Sequence, residues 1–144
     1  MHVTAFILGV LLLQGSPSAA QEETVVKAFD HYEAIRAALA GDEMKDIAKH
    51  AAALAPMAES ISGTEARKAA EGLRAATDIT RAREHFGAIS ALLIPKFEKA
   101  ALKDVHFFRC SMVNRSWAQR GKDVRNPYMG KAMLACGVPA KPSR

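Results

Sequence analysis

Each of the two cysteines in this 144-residue chain has a methionine close by, and both pairs lie near the C-terminal end. Cys110 is followed by Met112, and Met133 precedes Cys136. Thiolate and thioether sulfur are soft donors, which suit Cu(I) and Ag(I) far better than Mg²⁺, Ca²⁺ or Mn²⁺. Zinc accepts thiolate and imidazole, but thioether is not among its usual ligands. The four residues therefore predict a site for copper(I) or silver(I).

A short helix is predicted for the segment that carries the second pair. Asn126 is a favoured residue at the start of a helix, and Gly137 is typical of the position after its end. On this helix Met129, Met133 and Cys136 are spaced at i, i+4 and i+7, so they would share one face. Met129 is a weaker candidate ligand, because methionines at helical spacing also serve as core packing.

The first pair lies in a short apolar and aromatic stretch, DVHFFRCSMV, which is typical of extended structure. If residues 106–112 form a strand, then His106, Cys110 and Met112 lie on one side of it. His106 is a weaker candidate ligand, because a partly buried histidine is commonly structural. We expect the strand and the short helix to face each other and to bring the sulfur atoms together.

A disulfide between Cys110 and Cys136 is the alternative to a metal site. Cysteines pair in oxidising compartments, and such a bond would close a long loop and stabilise the C-terminal segment by roughly 3.5 kcal/mol. It would be compatible with metal binding only after reduction. The sequence leaves both states of the two thiols open.

The first twenty residues contain no Lys, Arg, Asp or Glu and predict a signal peptide over residues 1–20. An apolar run from Val3 to Leu13 leads to the small residues Ser18, Ala19 and Ala20, and cleavage is expected after Ala20. The run is too short to span a bilayer, and no later segment is apolar enough to do so. We therefore expect a secreted or periplasmic protein with no transmembrane segment in the mature chain and with no nucleic acid as a partner.

Charge is distributed unevenly along the chain. Residues 21–102 carry 11 Lys/Arg against 13 Asp/Glu, whereas residues 103–144 carry 9 Lys/Arg against 2 Asp. Such a basic segment is typical of a solvated surface. It could also dock an acidic partner, or favour the thiolate form of the cysteines.

The mature chain, residues 21–144, is predicted to form one all-α domain. Apolar residues recur at helical spacing through residues 21–103, which predicts an antiparallel three- to four-helix bundle. Residues 104–137 are expected to form an irregular Cys/Met-containing segment that ends in the short helix, and residues 138–144 a flexible tail. The expected helix boundaries are a stop at Gly41 and starts at Asp42, Thr64 and Asp78.

The remaining residues with reactive or large side chains are assigned structural roles. His31, His50 and His85 lie on the predicted helices without neighbouring ligands in the sequence, so they are expected to be surface or satisfied groups. Trp117 lies in a polar stretch, NRSWAQRGKDVR, that is predicted as a loop. Trp117 and Tyr128 are expected to be packing anchors.

The stretch CSMVNRSWAQRGKDVRNPYMGKAMLACG resembles the C-terminal signature of an uncharacterised family of exported helical domains. That signature is C-P-M, then W-L, then N-P-Y-[YF]-G-x-x-M-L-x-C-G. Upstream, DHYEAIRAALAGDEM and RAREHFGAISALL are similar to two further stretches of the family. This chain departs from the signature at Ser111, Ala118 and Met129, where the family usually has Pro, Leu and an aromatic residue. The matching positions are Cys110, Met112, Trp117, Asn126, Pro127, Tyr128, Gly130, Met133, Leu134, Cys136 and Gly137.

Members of this family occur alone and fused to periplasmic adaptor subunits of copper/silver efflux systems. The resemblance therefore implies a heavy-metal context, with an adaptor or metallochaperone of such a system as a partner. We expect no enzyme, because the chain has no CxxC, no CxxCH and no glycine-rich phosphate loop. The expected function is a periplasmic Cu(I)/Ag(I)-binding domain that sequesters or transfers the metal. The alternative is a disulfide-stapled interaction module without a metal.

Overall fold

The computed structural model describes residues 18–142, so nearly all of the predicted signal peptide lies outside the described residues. Four helices are followed by three short antiparallel strands in the order β2-β1-β3. The helices are α1 (Ala19–Ala40), α2 (Ile47–Ser62), α3 (Thr64–Ala75) and α4 (Ile79–Ala100). The strands are β1 (Val105–Cys110), β2 (Arg115–Arg120) and β3 (Val138–Pro139), and a 3-10 turn covers Gly130–Met133.

The prediction of an all-α fold is wrong, because the segment after α4 forms a sheet. Phe108 of β1 lies opposite Trp117 of β2, which converts the predicted polar loop into a strand. On the other side of β1, Arg109 pairs with Val138, so the predicted tail begins with a short strand. The protein therefore belongs to the α+β class, with helices first and an antiparallel sheet after them.

The helix boundaries follow the local capping signals in two of four places. Gly41 ends α1, and the Asp78 carboxylate accepts a hydrogen bond from the Arg81 N–H at the start of α4, which confirms both predictions. Asp42 does not start α2, which begins later at Ile47. Thr64 is the first helical residue of α3, and the residue before it, Gly63, takes the capping position.

The helices and the sheet share one hydrophobic core. Phe29 and Phe97 meet edge to face with ring centroids 5.1 Å apart, and Tyr32 lies 4.8 Å from Phe86. The Tyr32 hydroxyl is within 2.8 Å of the Ser90 hydroxyl and accepts a hydrogen bond from the Ala118 N–H of β2. These contacts fix the position of the sheet relative to α1 and α4.

Arg83 and Asp42 attach the C-terminal segment to the helices. The Arg83 guanidinium donates to the carbonyl oxygens of Pro127 and Leu39 and to the Asp42 carboxylate, 2.6 Å away. The other Asp42 oxygen accepts from the Lys131 N–H. These contacts give Asp42 a tertiary role in place of the predicted helix cap, and they hold the pKa of its carboxyl below its usual value.

Replacing Gly130 with alanine should destabilise the protein by about 2–3 kcal/mol, because two effects add. Gly130 has a φ of 60°, and a Cβ there would lie 1.9 Å from the Asp42 carboxylate oxygen, which displaces the group that holds Lys131. Gly121→Ala is the matched control, since Gly121 also has a positive φ (76°) but open space around it. Urea unfolding measures both, and equal losses for the two variants would contradict this account of Gly130.

Among residues 18–142, no helix combines the length and the apolar character needed to cross a membrane.

Candidate functional site

Cys110 ends β1 with its side chain fully buried. The chain turns back immediately after it, and Asn114 completes the turn to β2 with a φ of 54°. In this turn the N–H groups of Met112 and Val113 point at the Cys110 sulfur and donate hydrogen bonds to it. Backbone dipoles arranged in this way favour a negative charge on the sulfur.

The pKa of the Cys110 thiol lies below its ordinary value, although burial, the largest single influence, would raise it. The hydrogen bonds to the sulfur outweigh the burial. Their donors are the Asn126 side chain, the two N–H groups of the turn and the Cys136 thiol. Cys110 is therefore the cysteine that ionises first, and a thiolate is the form of cysteine that binds metals.

Cys136 is half-buried and follows the 3-10 turn, where its N–H donates to the Met133 carbonyl. Burial raises the pKa of the Cys136 thiol, and the adjacent Cys110 charge and the hydrogen bond to Cys110 raise it further. Both cysteines are free, so the structure brings the two thiols together without a disulfide. The Cys136 thiol is the donor in the hydrogen bond between the two sulfur atoms.

Asn126 is the buried residue that holds both cysteine segments in place, and it is 0% exposed. Its side-chain oxygen accepts from the N–H groups of Tyr128 and Met129, and its amide nitrogen donates to the Cys136 carbonyl at 2.6 Å. The same side chain also bonds to the Cys110 sulfur. The sequence identified Asn126 only as a cap and missed its contacts with the cysteines.

The methionines do not lie as the sequence predicted. The helix expected between Asn126 and Gly137 is reduced to the 3-10 turn at Gly130–Met133, so Met129, Met133 and Cys136 do not share a helical face. The glycine at position 130 is the sequence feature that could have indicated this, because glycine readily adopts the positive φ that interrupts a regular helix here. Met133 is 39% exposed.

Met112 lies in the turn beyond β1 rather than on the strand, and it is 65% exposed. His106 does lie on β1, on the same side as Cys110, and its ring nitrogen is 3.2 Å from the Asp104 carboxylate. Four residues of strand separate it from Cys110 by about 13 Å, which places it outside the thiol pair. Met129 is partly buried and packs against the core.

Trp117 is a fully buried packing anchor next to the segment that carries Cys136. Its ring lies 5.6 Å from that of Phe108 and 6.1 Å from that of Tyr128. Gly137, directly after Cys136, packs so closely on the indole that a Cβ would lie 2.6 Å from it. The position of Cys136 therefore depends on Trp117.

Gln119 is a second buried polar residue that the sequence did not single out. Its side-chain oxygen accepts from the Trp117 indole N–H at 2.9 Å and from the Arg125 N–H. Its amide nitrogen donates to the carbonyl oxygens of Gly121 and Asp123. Gln119 thus orders the loop that leads from β2 to Asn126.

In the part of the chain that the structure describes, no group of three or more His, Cys, Asp or Glu side chains is arranged to hold a metal. Comparisons of the chain with models of protein families, with curated proteins and with solved structures found no match. The fold and the site define the chain as an α+β protein in which a buried thiol, Cys110, lies beside a half-buried one, Cys136.

Proposed function

We propose that this protein is a periplasmic binding domain for Cu(I) or Ag(I), which sequesters the metal or transfers it to a partner in heavy-metal homeostasis or efflux. The observation that carries the proposal is the thiol pair, in which Cys136 donates its proton to a Cys110 sulfur already surrounded by N–H donors. A soft cation could bind between the two sulfurs once both thiols have released their protons, and it would offset one of the two resulting negative charges.

The basic C-terminal segment suits such a centre. Cu(I) held by two thiolates has a net charge of −1, and Arg115 lies opposite Cys110 in the β1–β2 ladder. The exposed thioethers of Met112 and Met133 are neutral soft donors at the surface, where an incoming or leaving ion would meet them first. They fit the transfer of a metal to an adaptor or metallochaperone.

Titration with Cu(I) in competition with a Cu(I) chelator tests this function on two forms of the same protein. The fully reduced protein is expected to take up one Cu(I) per chain with an affinity that competes with the chelator. Protein oxidised to a Cys110–Cys136 disulfide should not compete, because its sulfurs are no longer thiolates. Equal uptake by the two forms would contradict the proposal.

A disulfide-stapled interaction module without a metal is the second candidate, and the closeness of the two thiols supports it as well. It predicts that protein taken directly from the periplasm has no free thiol in a mass-spectrometric count under non-reducing conditions. The metal-binding function predicts two thiols, or two sulfurs protected by metal, in the same sample.

Asn126→Ala should weaken Cu(I) binding by about 10- to 100-fold, the usual effect of removing a residue that orients metal ligands. The variant loses the hydrogen bond to the Cys110 sulfur and the bond that positions the Cys136 carbonyl. Asn114→Gly is the control, since Asn114 bonds only to the surface residue Arg109 among the contacts described and Gly retains its positive φ. If a folded Asn126→Ala protein bound Cu(I) with unchanged affinity, Asn126 would have no role in positioning the metal ligands.

A further inference from the structure

His31 of α1 and His50 of α2 face each other across the first helical hairpin. Their Nδ1 atoms are 3.0 Å apart, and their ring planes are tilted by 48°. Both side chains are half-buried. The sequence assigned them separate structural roles because 19 positions divide them, and only the antiparallel packing of α1 on α2 brings the rings together.

The distance between the two nitrogens is that of neighbouring ligands on one metal ion. With metal–nitrogen bonds of about 2.0–2.1 Å, a separation of 3.0 Å corresponds to a ligand–metal–ligand angle of roughly 95°. That angle is close to the right angle of a square-planar or tetragonal site, the geometry that Cu(II) and Ni(II) prefer with nitrogen ligands. Without a metal, one ring donates its Nδ1 proton to the other at the same distance.

Charged groups of both signs lie near the pair. His50 lines a shallow groove of about 330 Å³, and the carboxylate residues Glu43 and Asp46 line the same groove together with Lys45. Asp30 also lies near His31, and its carboxylate is paired with Arg120.

We propose that His31 and His50 form a second metal site, in which their Nδ1 atoms chelate one Cu(II) or Ni(II) ion and water from the groove completes the coordination. This site uses imidazole nitrogen and no sulfur, and it lies on the helical hairpin rather than in the sheet. It therefore does not rest on the proposed function of the thiol pair.

Cu(II) electron paramagnetic resonance on untagged Cys110→Ser/Cys136→Ser protein tests the site, because that protein has no thiol to reduce or bind the metal. One equivalent of Cu(II) should give a tetragonal signal with hyperfine splitting from two imidazole nitrogens. His31→Gln and His50→Gln should each lose this splitting and weaken the binding by about 10-fold or more. His85→Gln, a change in a histidine of α4, is the matched control and should retain both.

Ni(II) binding to the otherwise native protein provides a second measurement, in case the cysteine variant does not fold. The midpoint of thermal unfolding should rise with Ni(II) in the native and His85→Gln proteins and should not rise in His31→Gln or His50→Gln. A signal or a rise that persists in either of these two variants would overturn the assignment. So would the absence of Cu(II) and Ni(II) binding in the folded native protein, whatever the result of the Cu(I) titration.

Discussion

The Cys110→Ser/Cys136→Ser protein is expected to lose high-affinity Cu(I) binding altogether, the largest effect on metal binding of any change considered. A serine hydroxyl is a hard donor that stays protonated at neutral pH, so the variant no longer offers Cu(I) a thiolate ligand. Each single serine variant should also fail to compete with the chelator, because a lone thiolate leaves the ion with one strong ligand. Competition titration of the reduced proteins measures this.

Methionine variants distinguish the contribution of the thioethers to Cu(I) affinity from that of the thiols in the same titration. Met112→Leu and Met133→Leu should weaken Cu(I) binding much less than the loss of either thiol, since a thioether is a neutral and weaker donor. Met57→Leu is the control for the general effect of replacing a methionine, because Met57 packs against the core on α2. If the double serine protein bound Cu(I) as tightly as Met57→Leu, the cysteines would not be the ligands.

Trp117→Ala is expected to cost about 3–5 kcal/mol of folding stability, the largest effect on stability. The indole is fully buried, contacts the rings of Phe108 and Tyr128, and donates to Gln119. Its removal would leave a cavity between the sheet and the 126–137 segment. Because Gly137 packs on the indole, the Cys136 segment should loosen as well, and Cu(I) affinity should fall with the stability.

Trp117→Phe is the comparison for this change, since it retains an aromatic ring and removes only the N–H donor and part of the volume. We expect it to cost clearly less than the alanine variant, because the Gln119 oxygen still accepts from the Arg125 N–H. Chemical denaturation followed by circular dichroism measures both. A loss below about 1 kcal/mol for Trp117→Ala would mean that the sheet does not depend on this residue.

The four helices could be predicted from the sequence because their apolar residues recur at a regular spacing and local residues mark several of their ends. Asp78 bonds to the backbone of Arg81, three positions later in the first turn of α4, so its capping role can be recognised from the local sequence. Asp42 bonds instead to Arg83 and to the backbone of Lys131, which are 41 and 89 positions away. No local pattern contains that information.

The sheet could not be predicted in the same way, because its second strand is polar in sequence. In Arg115–Arg120 the buried positions include Gln119, whose polar groups are satisfied by a loop that comes later in the chain. Without those partners the stretch is typical of a loop. Once β2 is a strand, β1 pairs with it, and an all-α interpretation no longer holds.

The sequence predicted the proximity of Cys110 and Cys136 and the strand that carries Cys110, which is β1 in the structure. The helix expected to carry Cys136 is instead a 3-10 turn in a segment held by Asn126. Asn126 and Tyr128 anchor the segment that carries Cys136, and Gly130 and Gly137 allow its close approach to Asp42 and Trp117.

X-ray absorption at the copper K-edge of the Cu(I)-loaded protein tests the central claim most directly. We predict a first coordination shell made only of sulfur in the native protein, and no such shell in the Cys110→Ser/Cys136→Ser protein. A native spectrum dominated by nitrogen or oxygen neighbours would contradict a soft-metal site at the thiol pair.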